Sequence, residues 1–93
     1  NSKSIIYKNK QRDAREIAFL IKNSPQYIGE KQAVKLYACD TGKEVNGFAQ
    51  QLANILRVDV IAPQGLLAPN KQGKFVVFTE DYHRLDWKTF NPQ

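Results

Sequence analysis

Soft metal ligands are almost absent from this chain, which holds one cysteine, Cys39, and one histidine, His83. A lone cysteine closes no internal disulfide, and one Cys with one His falls short of a structural zinc site. No metal is therefore expected. No apolar run approaches the ~18 residues that mark a transmembrane helix, so no membrane contact is expected of the folded chain. The Gly-x-Ser-x-Gly elbow of serine hydrolases is missing, as is any paired acidic metal motif. Thr41-Gly42-Lys43 has the look of a phosphate loop, but that motif needs glycine where Tyr37 stands and Ser or Thr where Glu44 stands. Nucleotide binding of that kind is excluded, and no cofactor is expected.

What the chain does have is enough apolar material for one small core. It is 93 residues long, 42% hydrophobic, with ten aromatics, which argues for a single folded domain and against wholesale disorder. Repeats, low-complexity segments and internal domain boundaries are not found. The chain opens on Asn1 without an apolar leader, and the expectation is a C-terminal fragment of a larger polypeptide. Charge is uneven. Residues 1–35 carry eight Lys/Arg against three acids, whereas the rest carry six against six, so the whole net charge of +5 lies in the first third. A basic end of this kind suits nucleic acid or an acidic protein, and equally a solvated helix. Arg12, Arg15, Lys22 and Lys35 are its candidate phosphate contacts, with Tyr82 and Arg84 further on.

The organising stretch is Val34 to Gly42. Val34, Leu36 and Ala38 alternate with Lys35, Tyr37 and Cys39, the period of a half-buried strand. Phe48, Leu52 and Leu56, with Ala49 and Ala53 beside them, then form one helical face. Val58 to Pro63 reads as another strand. Strand, helix and strand within about 30 residues predict a βαβ unit with parallel strands. Ligands in such sheets gather at the carboxyl ends of the strands, which points to Cys39, Asp40, Thr41 and Lys43. Lys43 and the N–H groups opening the Phe48 helix would suit an anion.

Around this unit, Ser4–Tyr7 reads as a short strand and Lys8–Arg12 as a polar loop. Asp13 caps a helix to about Asn23, with Glu16 as its capping-box partner and Ala14, Ile17, Leu20 and Ile21 inward. Residues 65–68 and 74–79 are expected to pair as a hairpin across Pro69–Gly73. For Glu80–Lys88 a helical turn and a loop both fit. The fold class expected is α/β, a small single domain with a central parallel βαβ unit, an N-terminal helix and a C-terminal β-hairpin.

Two chemistries are open to these residues. A metal-independent ribonuclease needs a base for the ribose 2′-hydroxyl, an acid for the leaving oxygen and cations for the phosphorane. His83, Tyr82, Arg84, Lys43 and Thr41 supply those types, and Tyr82 and Trp87 could stack on an unpaired base or simply complete the core. Cys39 at a strand end, with His83 brought to it by the fold, would instead make a thiol nucleophile, or Cys39 is merely a small packed residue.

The run Val34-Lys35-Leu36-Tyr37-Ala38-Cys39-Asp40-Thr41-Gly42, then Phe48-Ala49-Gln50-Gln51-Leu52-Ala53 and Val60-Ile61-Ala62-Pro63, resembles the C-terminal toxin domains of bacterial polymorphic toxins of the contact-dependent growth inhibition and Rhs type. Gly73-Lys74-Phe75-Val76-Val77-Phe78 and Phe90-Asn91-Pro92 look like the endings of such modules. The Cys-x-Thr-Gly turn is also similar to the cysteine strand of caspase-like self-cleaving toxin peptidases. That family places a His-Gly on the preceding strand, where this chain has Ile5-Ile6-Tyr7-Lys8-Asn9. The resemblance implies a secreted or cell-surface effector delivered into a target-cell cytoplasm, cleaving RNA and above all tRNA. It implies a cognate immunity protein and leaves room for a host-protein cofactor. A Cys39-dependent peptidase or deamidase-like enzyme and a non-catalytic binding or translocation module are the alternatives. The expected catalytic set is His83, Lys43, Thr41, Cys39 and Asp40.

Overall fold

The structure, a computed structural model, describes residues 4–7, 10–25 and 32–93. Two strands, β1 (Ser4–Tyr7) and β2 (Lys10–Asp13), pair antiparallel, with Ser4 opposite Asp13 and Tyr7 opposite Lys10. The second of these corrects the sequence reading, which took Lys8–Arg12 for a loop. Its residues show no apolar alternation, and backbone pairing with β1 is what makes them a strand. Helix α1 (Ala14–Lys22) begins where expected, because the Asp13 carboxylate accepts the Glu16 N–H at 2.9 Å. It buries Ala14, Ile17 and Ala18, while Leu20 and Ile21 are half-buried. Ala18 is an inward position that the sequence reading missed.

The βαβ unit is present. Strand β3 (Val34–Lys35) runs parallel to β4 (Val60–Pro63), with Val34 opposite Val60 and Lys35 opposite Ile61, and helix α2 (Phe48–Leu56) connects them. Backbone bonds from Val34 N–H to Asp59 O (2.9 Å) and from Leu36 N–H to Ile61 O (2.8 Å) extend the pairing. Phe48, Ala49, Leu52, Ala53 and Leu56 of α2 are buried against Leu36, Val60, Ala62 and Phe90 of the sheet and the inward face of α1. Apolar burial of this kind, about 25 cal/mol per Å², dominates the stability of a domain this size. Arg57 closes α2 in the left-handed region (φ 61°) and donates its N–H to Ala53 O at 2.8 Å.

Beyond β4 the chain forms an antiparallel meander: β5 (Leu66–Pro69), β6 (Phe75–Phe78) and β7 (Arg84–Leu85). The β5–β6 hairpin is the one expected, each strand end displaced by one residue. Asn70 Oδ1 accepts the N–H groups of Gln72 (2.9 Å) and Lys74 (3.0 Å), and Gly73 takes φ 80°, a conformation glycine adopts without penalty. The stretch Glu80–Lys88 is neither a helical turn nor simply a loop. A turn leads into β7, and β8 (Trp87–Phe90) then lies antiparallel on β4, giving a mixed sheet of order β3-β4-β8. The domain is α/β, with a parallel βαβ unit, an N-terminal helix and a C-terminal hairpin. Among the described residues no helix is long and apolar enough to cross a membrane.

Candidate functional site

The polar corner after β3 sits at the carboxyl ends of the two parallel strands. Asp40 N–H donates to Gly65 O at 2.8 Å and Gly42 N–H to Pro63 O at 2.7 Å, so the corner is laced to the exit of β4. Gly42 is needed there: a Cβ would lie 2.9 Å from Ala62 O and 3.0 Å from Pro63 O. Gly65 is similarly confined, since a Cβ would lie 2.6 Å from Phe78 O, where the meander meets the corner. Asp40 itself adopts φ 63°, a region that short polar side chains tolerate.

Each expected site residue has a definite place. Thr41 is fully buried; its hydroxyl donates to Ala38 O at 2.9 Å and its carbonyl accepts the Ala49 N–H at 3.1 Å. It builds the corner and joins it to α2, and its hydroxyl is out of a substrate's reach. The Gly47 N–H is likewise taken by Glu44 O at 3.2 Å. Two donors expected to serve an anion at the start of α2 therefore hold the turn together instead. Cys39 is free and exposed, and its Sγ accepts the Leu67 N–H at 3.3 Å. The packed reading of Cys39 is thereby corrected: β3 ends before it, and the sulfur stands at the rim against β5.

Asp40 and Lys43 line a cavity of about 130 Å³ together with Gln64, Leu66, Thr79 and Glu80. The last two belong to the turn between β6 and β7, the turn that carries His83. It is a tight one: Thr79 N–H donates to His83 O (2.8 Å), Tyr82 N–H to Thr79 O (2.9 Å) and His83 N–H to Thr79 Oγ1 (3.1 Å). His83 and Arg84 are exposed and do not line the cavity. Tyr82 has φ 64° and stacks on Phe78 with centroids 6.1 Å apart, remaining 85% exposed. The fold thus brings the Asp40–Lys43 corner and the His83 turn to one rim.

The basic residues divide. Arg12, Arg15 and Lys22 belong to β2 and α1, where Arg12 pairs with Glu16 at 3.6 Å and an open groove runs past Phe19. Lys35 is on the sheet, its Nζ 4.3 Å from the Trp87 ring centroid and 5.5 Å from that of Tyr37. Tyr37 in turn meets Phe75 (5.5 Å) and Trp87 (5.3 Å), both edge to face. The ring cluster was not foreseen, because its members come from β6, β8 and the residue pair after β3. For Tyr37 the available signal was its alternation with the buried Leu36.

Among the described residues no group of three or more His, Cys, Asp or Glu is placed to hold a metal ion. Residues 1–77 match the family described as Domain of unknown function (DUF8616). The chain belongs to this family. The DUF8616 match takes in α1, the βαβ unit, the corner and most of the β5–β6 hairpin, and stops short of Tyr82, His83 and β8. No curated protein and no solved structure matches the chain.

Proposed function

We propose that this chain is the toxin domain of an interbacterial competition effector and that it cleaves RNA, tRNA being the expected substrate. The observation that carries this reading is the shared cavity, in which Asp40 and Lys43 stand with Thr79 and Glu80 of the His83-bearing turn. His83 takes the proton of a ribose 2′-hydroxyl, the 2′-oxygen attacks the adjacent phosphorus, and the bond to the 5′-oxygen breaks. That oxygen leaves with a proton from Tyr82, while Lys43 and Arg84 balance the charge of the five-coordinate phosphate. Thr41 acts only by holding the corner. The net charge of +5 favours a polyanionic substrate. In this role the domain is delivered into the target-cell cytoplasm and is neutralised by an immunity protein.

The test is induction of the chain in bacteria lacking an immunity protein, with total RNA, DNA and protein run on gels. The expected result is growth arrest with fragmented RNA, lost in His83→Ala at unchanged stability. Arrest with intact RNA would reject the reading. A second reading, a thiol enzyme, is favoured by the exposed thiol of Cys39, which forms no disulfide. Alkylation of the thiol separates the two, since it abolishes a Cys39-dependent activity. An inert chain in the same cells would leave the binding or translocation module.

A further inference from the structure

Resting on the ribonuclease reading above, we infer that the sheet face bearing Lys35, Tyr37 and Trp87, with Phe75 beside it, is a base-stacking subsite for single-stranded RNA. Strand alternation separates this face from the core: Leu36, Val60, Ala62 and Phe90 point to the helices, so Lys35, Tyr37 and Trp87 fall on the other side. The rings gather there although the core does not enclose them, Tyr37 being 59% and Phe75 47% exposed. Both contacts of Tyr37 are edge to face at 69°, which leaves ring surface open to solvent. An exposed aromatic group of this kind marks a binding surface.

The chemistry of the occupant follows from the cation. Lys35 Nζ is held over Trp87 and Tyr37 by cation–π attraction and forms no salt bridge with a described residue. An apolar protein surface covering the rings would bury this ammonium without a counter-charge, which is costly. A nucleotide satisfies both parts, since its base stacks on a ring while its phosphate meets the ammonium. Unpaired bases are required, because in a duplex the base faces are already stacked.

Trp87 is the chain's only tryptophan, so its fluorescence reports on this face directly. The probe is a 12-nucleotide 2′-O-methyl oligouridine, which cannot be cut through its 2′-oxygen and so measures binding apart from chemistry. Saturable quenching of Trp87 is expected, with a perfect duplex of equal length at least about tenfold weaker. Tyr37→Ala should weaken the single strand about tenfold, and Tyr37→Phe should restore it. Lys35→Gln should lower the slope of log affinity against log salt by about 0.7. Tyr37 is exposed enough that these variants keep the fold, checked by circular dichroism.

Equal binding by wild type and Tyr37→Ala, absence of quenching, or duplex binding as tight as single strand would overturn the inference. So would sedimentation showing that the chain self-associates through this face. Quenching that obeys these expectations in a chain that cuts no RNA would keep the subsite and remove the ribonuclease reading. RNA cleavage that Tyr37→Ala leaves untouched, without quenching, would do the reverse.

Discussion

Replacing Gly42 by alanine tests the corner on which the site depends. The new Cβ would lie 2.9 Å from Ala62 O, 3.0 Å from Pro63 O and 3.1 Å from Ala62 C, so the nearest contact is about half an ångström inside ordinary van der Waals distance. All three atoms are backbone of β4, which is held between β3 and β8 and cannot swing aside like a side chain. Overpacking of this sort costs about 1–3 kcal/mol. If the corner instead moves away, it loses the Gly42-to-Pro63 and Asp40-to-Gly65 hydrogen bonds, at about 1 kcal/mol each. Either route predicts a loss near 2 kcal/mol, and for a domain of this length each kcal/mol moves Tm by roughly 4–8 °C. A fall of about 10 °C is therefore expected in thermal unfolding followed by circular dichroism. A Gly42→Ala protein melting within 2 °C of wild type would refute the close approach of corner and β4.

Phe48→Ala empties a fully buried position at the start of α2 and should cost about 3–5 kcal/mol in urea unfolding, enough to leave much of the chain unfolded near 37 °C. Asp13→Ala removes the acceptor for Glu16 N–H and should cost about 1 kcal/mol, with Asp13→Asn recovering most of it in the same assay. His83→Ala, at an exposed turn position whose recorded hydrogen bonds are all made by backbone atoms, should change stability by less than about 0.5 kcal/mol while abolishing RNA fragmentation.

The C-terminal segment shows how side chains distant in sequence close the fold. Gln50, buried on α2, donates Nε2 to Asn91 O at 2.8 Å and to Asn54 Oδ1 at 2.9 Å. Asn54 Oδ1 also accepts the Gln93 N–H, Arg57 donates to Gln93 O, and Asn91 donates to Asp59 Oδ1. The Phe90-Asn91-Pro92 ending, noted in the sequence only as part of a resemblance, is thus the strap that ties β8 to α2. Gln50 lies at a position that helical periodicity alone would leave to solvent.

What could be read from the residues in order was whatever depends on near neighbours. Asp13 three residues before Glu16 caps a helix because the carboxylate reaches that N–H. Phe48, Leu52 and Leu56 recur at the helical period, and the alternation of Val34 and Leu36 with Lys35 and Tyr37 marks a strand, so the βαβ unit and the place of the corner followed. The β5–β6 hairpin followed from its turn residues. The tertiary structure alone decided the rest: that polar Lys10–Asp13 pairs with β1, that β8 lies on β4, that Thr79 and Glu80 of the His83 turn line one cavity with Asp40 and Lys43, and that Tyr37 meets Phe75 and Trp87 while Lys35 lies over Tyr37 and Trp87. Each of these joins segments through backbone pairing or side-chain contact across a loop, and no local pattern of residues specifies which distant strand will supply the partner.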